Sequence, residues 1–240
     1  MLAIVRVPLL FVYFLLINII LILWCICRPF HKNNVHVGGR LYSSMASLLG
    51  LKIIVRGQEH VPDSPSVIIA NHQNSLDLIT VCRAVPKGCV SVGKRSLIWI
   101  PVFGLVYWLS GNIFIDRKNA SRASDTIKST VKKIKERKLS VWLFPEGTRS
   151  RGKGLLPFKM GAFRIAQTAD EPVVTMCASN LHDKVQLNRW NNGILILQFS
   201  TAQKMDDSKS LKEWSNHFHD QMQNTFEQLN SEVAELEKAG

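Results

Sequence analysis

Acidic residues are scarce in this chain: 18 Asp and Glu stand against 30 Lys and Arg, a formal net charge of +12 at pH 7. Such an excess points to anionic partners: a nucleic acid, an acidic membrane surface, an acidic carrier protein or a phosphorylated substrate. Cysteine is sparse as well, with five residues at 25, 27, 82, 89 and 177. They form no CxxC pair and are too few for a secreted disulfide scaffold, so they read as reduced thiols. Also missing are the GxSxG elbow of serine esterases, the HExxH of zinc hydrolases and the GxGxxG of dinucleotide binders. No internal repeat or low-complexity tract occurs.

What the chain has first is a long apolar run. From Val7 to Ile26 no residue is charged and Asn18 is the clearest polar one, enough to cross a bilayer as a helix. The run is too long for a cleavable signal, and no A-x-A-like site follows it. Trp24 before Cys25 is too bulky for lipoprotein processing. Arg28, Lys32 and Arg40 outnumber Arg6 on the other flank, so the side carrying the rest of the chain is expected to be cytoplasmic. Pro8 and a second apolar stretch, Leu41 to Leu51, leave open a helix lying in one leaflet.

The 240 residues suit one domain with appendages. Beyond residue 50, short β-branched runs alternate with helical segments. The strands expected are Lys52 to Val55, Ser66 to Ala70, Cys89 to Val92, Asn112 to Ile115, Ser140 to Phe144, Val173 to Ala178 and Ile194 to Phe199. They lack polar alternation, as strands covered on both faces do. Helices are expected at Ser75 to Val85, Trp99 to Leu109, Ala120 to Arg137 and Met160 to Thr168. The pattern predicts an α/β fold: one domain with a mixed, mostly parallel sheet flanked by helices, behind a membrane-associated apolar helix or helix pair. The expected parts are a membrane-anchoring segment at 1–50, a catalytic α/β domain at 51–205 and an amphipathic helix at 206–240. Within that last helix His217 and His219 read as surface residues.

Three stretches could carry chemistry. "NHQNSLD" follows a strand and sets His72 five positions before Asp77. The pair is either a base with its orienting carboxylate or a loop histidine beside a helix-capping acid. "LFPEGTRSRGKG", Leu143 to Gly154, also follows a strand; Arg149 and Arg151, with Thr148 and backbone amides, could grip a phosphate. Its Gly147 to Lys153 spacing matches GxxxxGK, but Gly154 replaces the Ser or Thr that a nucleotide loop needs for magnesium. "GNIFIDR", Gly111 to Arg117, ends a strand on an acid and a base that could be a plain ion pair. Lys94, in "VGKRSL", is an ordinary surface lysine on its own.

Together these motifs resemble the glycerolipid acyltransferases. Asn71, His72 and Asp77 match the family's NHxxxxD; Gly111 to Arg117 match GxxFIDR; Phe144 to Ser150 match FPEGTRS. Glu171, Pro172, Val173 and Val174 match a weaker fourth block. "VGKRSLIWIPVFG" and "SRGKGLLPFKMGAF" are similar to bacterial members acting on 1-acylglycerol 3-phosphate. The resemblance runs to about residue 200 and implies acyl transfer from acyl-acyl carrier protein or acyl-CoA to the sn-2 hydroxyl of lysophosphatidic acid, giving phosphatidic acid. It implies His72 as base and Asp77 as its partner. Arg149, Thr148, Gly147, Arg117 and Lys94 would bind the phosphate, and Asn71, Phe144, Pro145 and Glu146 would shape the site. No cofactor or metal is expected beyond the acyl donor.

The expected partners are lysophosphatidic acid, the acyl donor, acyl carrier protein and membrane lipids, without nucleic acid. The expected location is the bacterial inner membrane with the site facing the cytoplasm. Alternatives are a sibling acyltransferase using glycerol 3-phosphate or a lyso-phospholipid, a membrane-bound thioesterase, and a basic protein that merely binds membrane or nucleic acid by charge. The last leaves the ordered motifs unexplained.

Overall fold

A computed structural model describes residues 1–115 and 120–239, with side chains from residue 124 onward in the second span. Seven strands form one sheet: β1 (Leu51–Arg56), β2 (Val67–Ala70), β3 (Cys89–Lys94), β4 (Ile113–Ile115), β5 (Ser140–Leu143), β6 (Val173–Ala178) and β7 (Gly193–Phe199). Their spatial order is β1-β7-β6-β2-β5-β3-β4. Every pairing is parallel except β6 with β7. All seven expected strands are present within a residue or two of their expected ends, in the mixed, mostly parallel sheet that the sequence predicts.

The absence of polar alternation has the anticipated cause. In β2, Val67 and Ile69 face one apolar layer while Ile68 and Ala70 face the other, and all four are buried. The first layer is closed by α5 (Ala120–Arg137), α6 (Gly161–Ala169) and α7 (Leu211–Ala239), through Val131, Ile134, Phe163, Trp214 and Phe218. α7 sends Trp214, Phe218, Met222, Leu229 and Val233 inward, as its apolar spacing predicts. His217 and His219 are half-buried rather than surface residues. The His217 Nε2 donates to Gln203 Oε1 at 3.1 Å, and the His219 ring stands edge-on to Phe158 at 5.0 Å.

Two helix expectations change. Ser75 to Val85 forms two 3₁₀ turns, Ser75–Ile79 and Val81–Ala84, in place of one helix. The Asp77 carboxylate is drawn back into the preceding loop, and the Thr80 hydroxyl bonds the Leu76 carbonyl at 2.9 Å, so local side-chain bonds win over helix propagation. The segment predicted from Trp99 becomes α4 only at Phe103–Leu109, behind a 3₁₀ turn at Arg95–Trp99. Pro101 holds Ile100 extended (φ −76°, ψ 117°), which stops a helix from running through.

The apolar run forms α1 (Leu2–Cys27), the one helix among the described residues long and apolar enough to cross a membrane by length and composition. It lies against the body along its length. At its start the buried Arg6 donates to the Leu187 and Arg189 carbonyls at 3.0 and 2.7 Å. In its middle Ile17 and Leu21 pack on Tyr42, Met45 and Leu49 of α2 (Asn34–Ser43), α3 (Met45–Leu48) and the residue after it. There the Tyr42 hydroxyl donates to Asn18 Oδ1 at 2.9 Å. The opposite side exposes Ile4, Phe11, Leu16, Ile19, Ile20 and Leu23, and a second apolar surface follows at Ile98, Trp99, Ile100, Leu105 and Trp108. All five cysteines are free.

Candidate active site

β2 and β5 are separated by some seventy residues of chain yet pair directly, Val67 with Val141 and Ile69 with Leu143. Their parallel direction brings "NHQNSLD" and "FPEGTRS" together beyond the carboxyl ends of the strands, where α/β sheets form their sites. The two loops are joined by backbone bonds. Ser150 N donates to His72 O at 2.8 Å and Arg151 N to Gln73 O at 3.0 Å.

Within the first loop His72 Nδ1 lies 2.6 Å from Asp77 Oδ2. A carboxylate accepts, so Nδ1 carries the proton and Nε2 keeps its lone pair. The same Oδ2 accepts from Gln73 N at 2.8 Å and Asn74 N at 3.2 Å, while Asn74 Oδ1 accepts from Leu76 N at 2.8 Å. The cap and the orienting carboxylate that the sequence leaves as alternatives are one oxygen serving both ends. The imidazole stacks on Phe144 with centroids 4.2 Å apart and planes 18° apart. Asn71 is buried and clamps the end of β6, its amide donating to Ala178 O at 2.9 Å and its oxygen accepting from Ala178 N at 2.8 Å.

Glu146 is 2% exposed. Its two carboxylate oxygens accept from His72 N at 2.6 Å and Leu156 N at 3.1 Å. Burial pushes the carboxyl up to about 7; the two N–H bonds oppose the rise and the Asp77 charge adds to it. Pro145 offers its carbonyl to Lys159 N at 2.8 Å. Gly147 sits at φ 70° with the Lys159 side chain where a Cβ would stand, so this turn requires glycine.

The loops border a cleft of about 680 Å³. At its mouth stand His72, Gly147, Thr148, Arg149, Arg151 and Lys94, the last at the end of β3. Arg149 is exposed and donates from Nη1 to Ser75 Oγ at 3.1 Å. The interior is apolar: Phe14 from α1, Tyr42 from α2, Leu78 and Val81 from the turns, Phe103 and Val106 from α4, and Trp142 from β5. Of the residues singled out in the sequence, His72, Asp77, Lys94, Phe144, Gly147, Thr148, Arg149 and Arg151 line this one cleft, and Asn71, Pro145 and Glu146 are buried within the loops that carry them. Arg117 lies outside the described residues. Sequence reasoning missed Gln73, whose buried amide bonds Ser179 O at 2.7 Å and Leu181 N at 2.7 Å, and Ser75. Both lie inside the quoted motif, but nothing in their identity marks them.

A protein-family model described as Acyltransferase matches residues 52–179. The 1-acyl-sn-glycerol-3-phosphate acyltransferases of Salmonella typhimurium and Escherichia coli are 40% and 39% identical to this chain over 243 residues, covering all of it and 99% of each relative. The human 1-acyl-sn-glycerol-3-phosphate acyltransferase alpha is 38% identical over 160 residues, 66% of this chain and 56% of that protein. The crystal structure of the 1-acyl-sn-glycerophosphate (LPA) acyltransferase from Thermotoga maritima has the same fold, with a TM-score of 0.72 at 21% identity over 94% of this chain and 97% of that one. Similarity along the whole length, with the NHxxxxD and FPEGTRS motifs meeting at one cleft, makes this chain a member of the acyltransferase family.

Proposed function

We propose that this enzyme transfers a fatty acyl group from acyl-acyl carrier protein or acyl-CoA to the sn-2 hydroxyl of 1-acyl-sn-glycerol 3-phosphate, releasing phosphatidic acid. The observation that carries this reading is His72, held by Asp77 at 2.6 Å with its second ring nitrogen free, at the mouth of an apolar cleft it shares with Arg149. His72 Nε2 takes the proton of the acceptor hydroxyl as its oxygen attacks the thioester carbonyl. The tetrahedral adduct then collapses, the carbon–sulfur bond breaks, and the thiolate recovers that proton from the imidazolium. Asp77 keeps the tautomer and stabilises the transient imidazolium. Arg149, with Thr148, Gly147, Lys94 and Arg117 around it, binds the acceptor phosphate; the apolar interior holds an acyl chain. The reaction needs no metal.

The exposed apolar faces of α1 and of residues 98–108 support placing both in one leaflet. A spanning α1 would drag its full-length contacts with the body through the bilayer, where Arg6 and the carbonyls it bonds would lie at depth. The leaflet is the cytoplasmic one of a bacterial inner membrane, whose anionic surface suits a chain of net charge +12, and the basic surface suits an acidic carrier protein. The test is solubilised enzyme with labelled acyl donor and lysophosphatidic acid. Wild type forms phosphatidic acid; His72→Ala forms none while remaining membrane-bound. Labelled product from His72→Ala, or free fatty acid without acceptor, refutes the assignment.

A further inference from the structure

A second cleft, of about 510 Å³, opens where α1 ends. Its lining is Arg28, Pro29, Phe30, His31, Lys32 and, from the last turn of α5, Arg137: four basic side chains and no acid. Arg28 lies over the exposed Trp24 ring at 5.3 Å. Phe30 meets the exposed Trp108 edge-on at 5.1 Å and gives its carbonyl to the Arg137 guanidinium. Lys32 has no hydrogen-bond or ion-pair partner among the described residues.

His31 takes the Asn33 N–H on Nδ1 at 3.2 Å, and Arg28 Nη2 stands 2.9 Å from its Nε2 and 3.3 Å from its Nδ1, so the guanidinium crowds the imidazole. Lost solvation, then the Arg28, Lys32 and Arg137 charges, hold the imidazole below its ordinary range. An anion seated between these groups offsets the crowded charge.

We propose that this cleft binds the phosphate of an anionic phospholipid headgroup, separately from the catalytic cleft. The position commits it to a lipid. It lies directly after the apolar face of α1, with Trp24 and Trp108 beside it as aromatic side chains stand at a membrane interface, and basic pockets at that level recognise headgroup phosphates. The lipid tails run along the exposed faces of α1 and α4. The inference rests on α1 lying in an apolar layer, and not on acyl transfer.

The test is native mass spectrometry of the full chain in neutral detergent micelles doped with equal phosphatidylglycerol and phosphatidylcholine. Wild type retains phosphatidylglycerol preferentially. Arg28→Gln with Arg137→Gln lowers that preference by about thirtyfold, taking each basic side chain near a surface at its usual weight, and leaves acyl transfer in undoped micelles unchanged. Should that pair not fold, His31→Gln with Lys32→Gln loses the same preference. Lys128→Gln with Lys135→Gln, on the exposed side of α5, keeps it, as does Arg149→Ala. The proposal is overturned if the Arg28 and Arg137 pair leaves the preference intact, or if the Lys128 and Lys135 pair lowers it equally, which means diffuse attraction. Saturable binding of inorganic phosphate at micromolar concentration, lost in the same pair, identifies a free-phosphate site instead and overturns the headgroup assignment. Absence of any lipid from wild type refutes the leaflet placement and with it this proposal, whereas equal retention of both lipids refutes the cleft alone.

Discussion

Glu146→Gln separates the charge of that carboxyl from its shape. In the folded chain the group titrates near 7 instead of its ordinary 4.5. Between those values the folded state holds a proton that the unfolded state has released, so stability falls as pH rises through the window and levels off above it. At about 1.4 kcal/mol per pH unit, this contribution is about 3 kcal/mol. Glutamine does not titrate and lacks it. Glutamine also carries an NH₂ where one carboxylate oxygen accepts from His72 N or Leu156 N, at a fixed cost of roughly 1–3 kcal/mol. Wild type is therefore the more stable protein at pH 5, and its advantage shrinks or reverses by pH 8. The assay is thermal unfolding of both solubilised proteins from pH 4.5 to 8. At about 2–4 °C per kcal/mol for a chain of this size, the difference in midpoint drifts by roughly 6–12 °C. A difference independent of pH refutes the account of Glu146 as a buried, half-protonated brace for the His72 backbone.

Other outcomes follow from the same geometry. Asp77→Asn keeps an acceptor for the Gln73 and Asn74 amides but removes the charge that stabilises the imidazolium; the rate constant of transfer drops about 10²–10⁴-fold, measured as thiol release from acyl-CoA, with the fold preserved by circular dichroism. Arg149→Ala removes a charge-assisted phosphate contact of about 1.5–3 kcal/mol and raises the KM for lysophosphatidic acid by roughly 10- to 150-fold; an unchanged KM and rate contradict its role. Gly39→Ala sets a Cβ against the Cys82 carbonyl, where α2 approaches the second 3₁₀ turn, and lowers stability by about 1–3 kcal/mol in a denaturation series.

The strands were legible because each is a β-branched run that the core buries on both faces. Their order was not. Nothing local says that Ser66 to Ala70 lies beside Ser140 to Phe144, and only that pairing puts Ser150 N against His72 O. The Ser75 to Val85 helix fails because a carboxylate with three donors outweighs a weak helical preference. Glu146 stands in a recognised motif, but its partners are backbone amides, which leave no mark in a sequence. The cleft interior was invisible for another reason: Phe14, Tyr42 and Phe103 each read as ordinary apolar residues of three different helices.

The lengthwise seating of α1 means that the first helix is no leash. Trimming it to obtain a soluble fragment would strip Phe14 from the wall of the cleft and leave the Tyr42 hydroxyl without Asn18. Under the proposed leaflet placement, the enzyme's reach toward its lipid is set by a rigid shoulder, and the height of His72 above the bilayer becomes a fixed dimension of the fold.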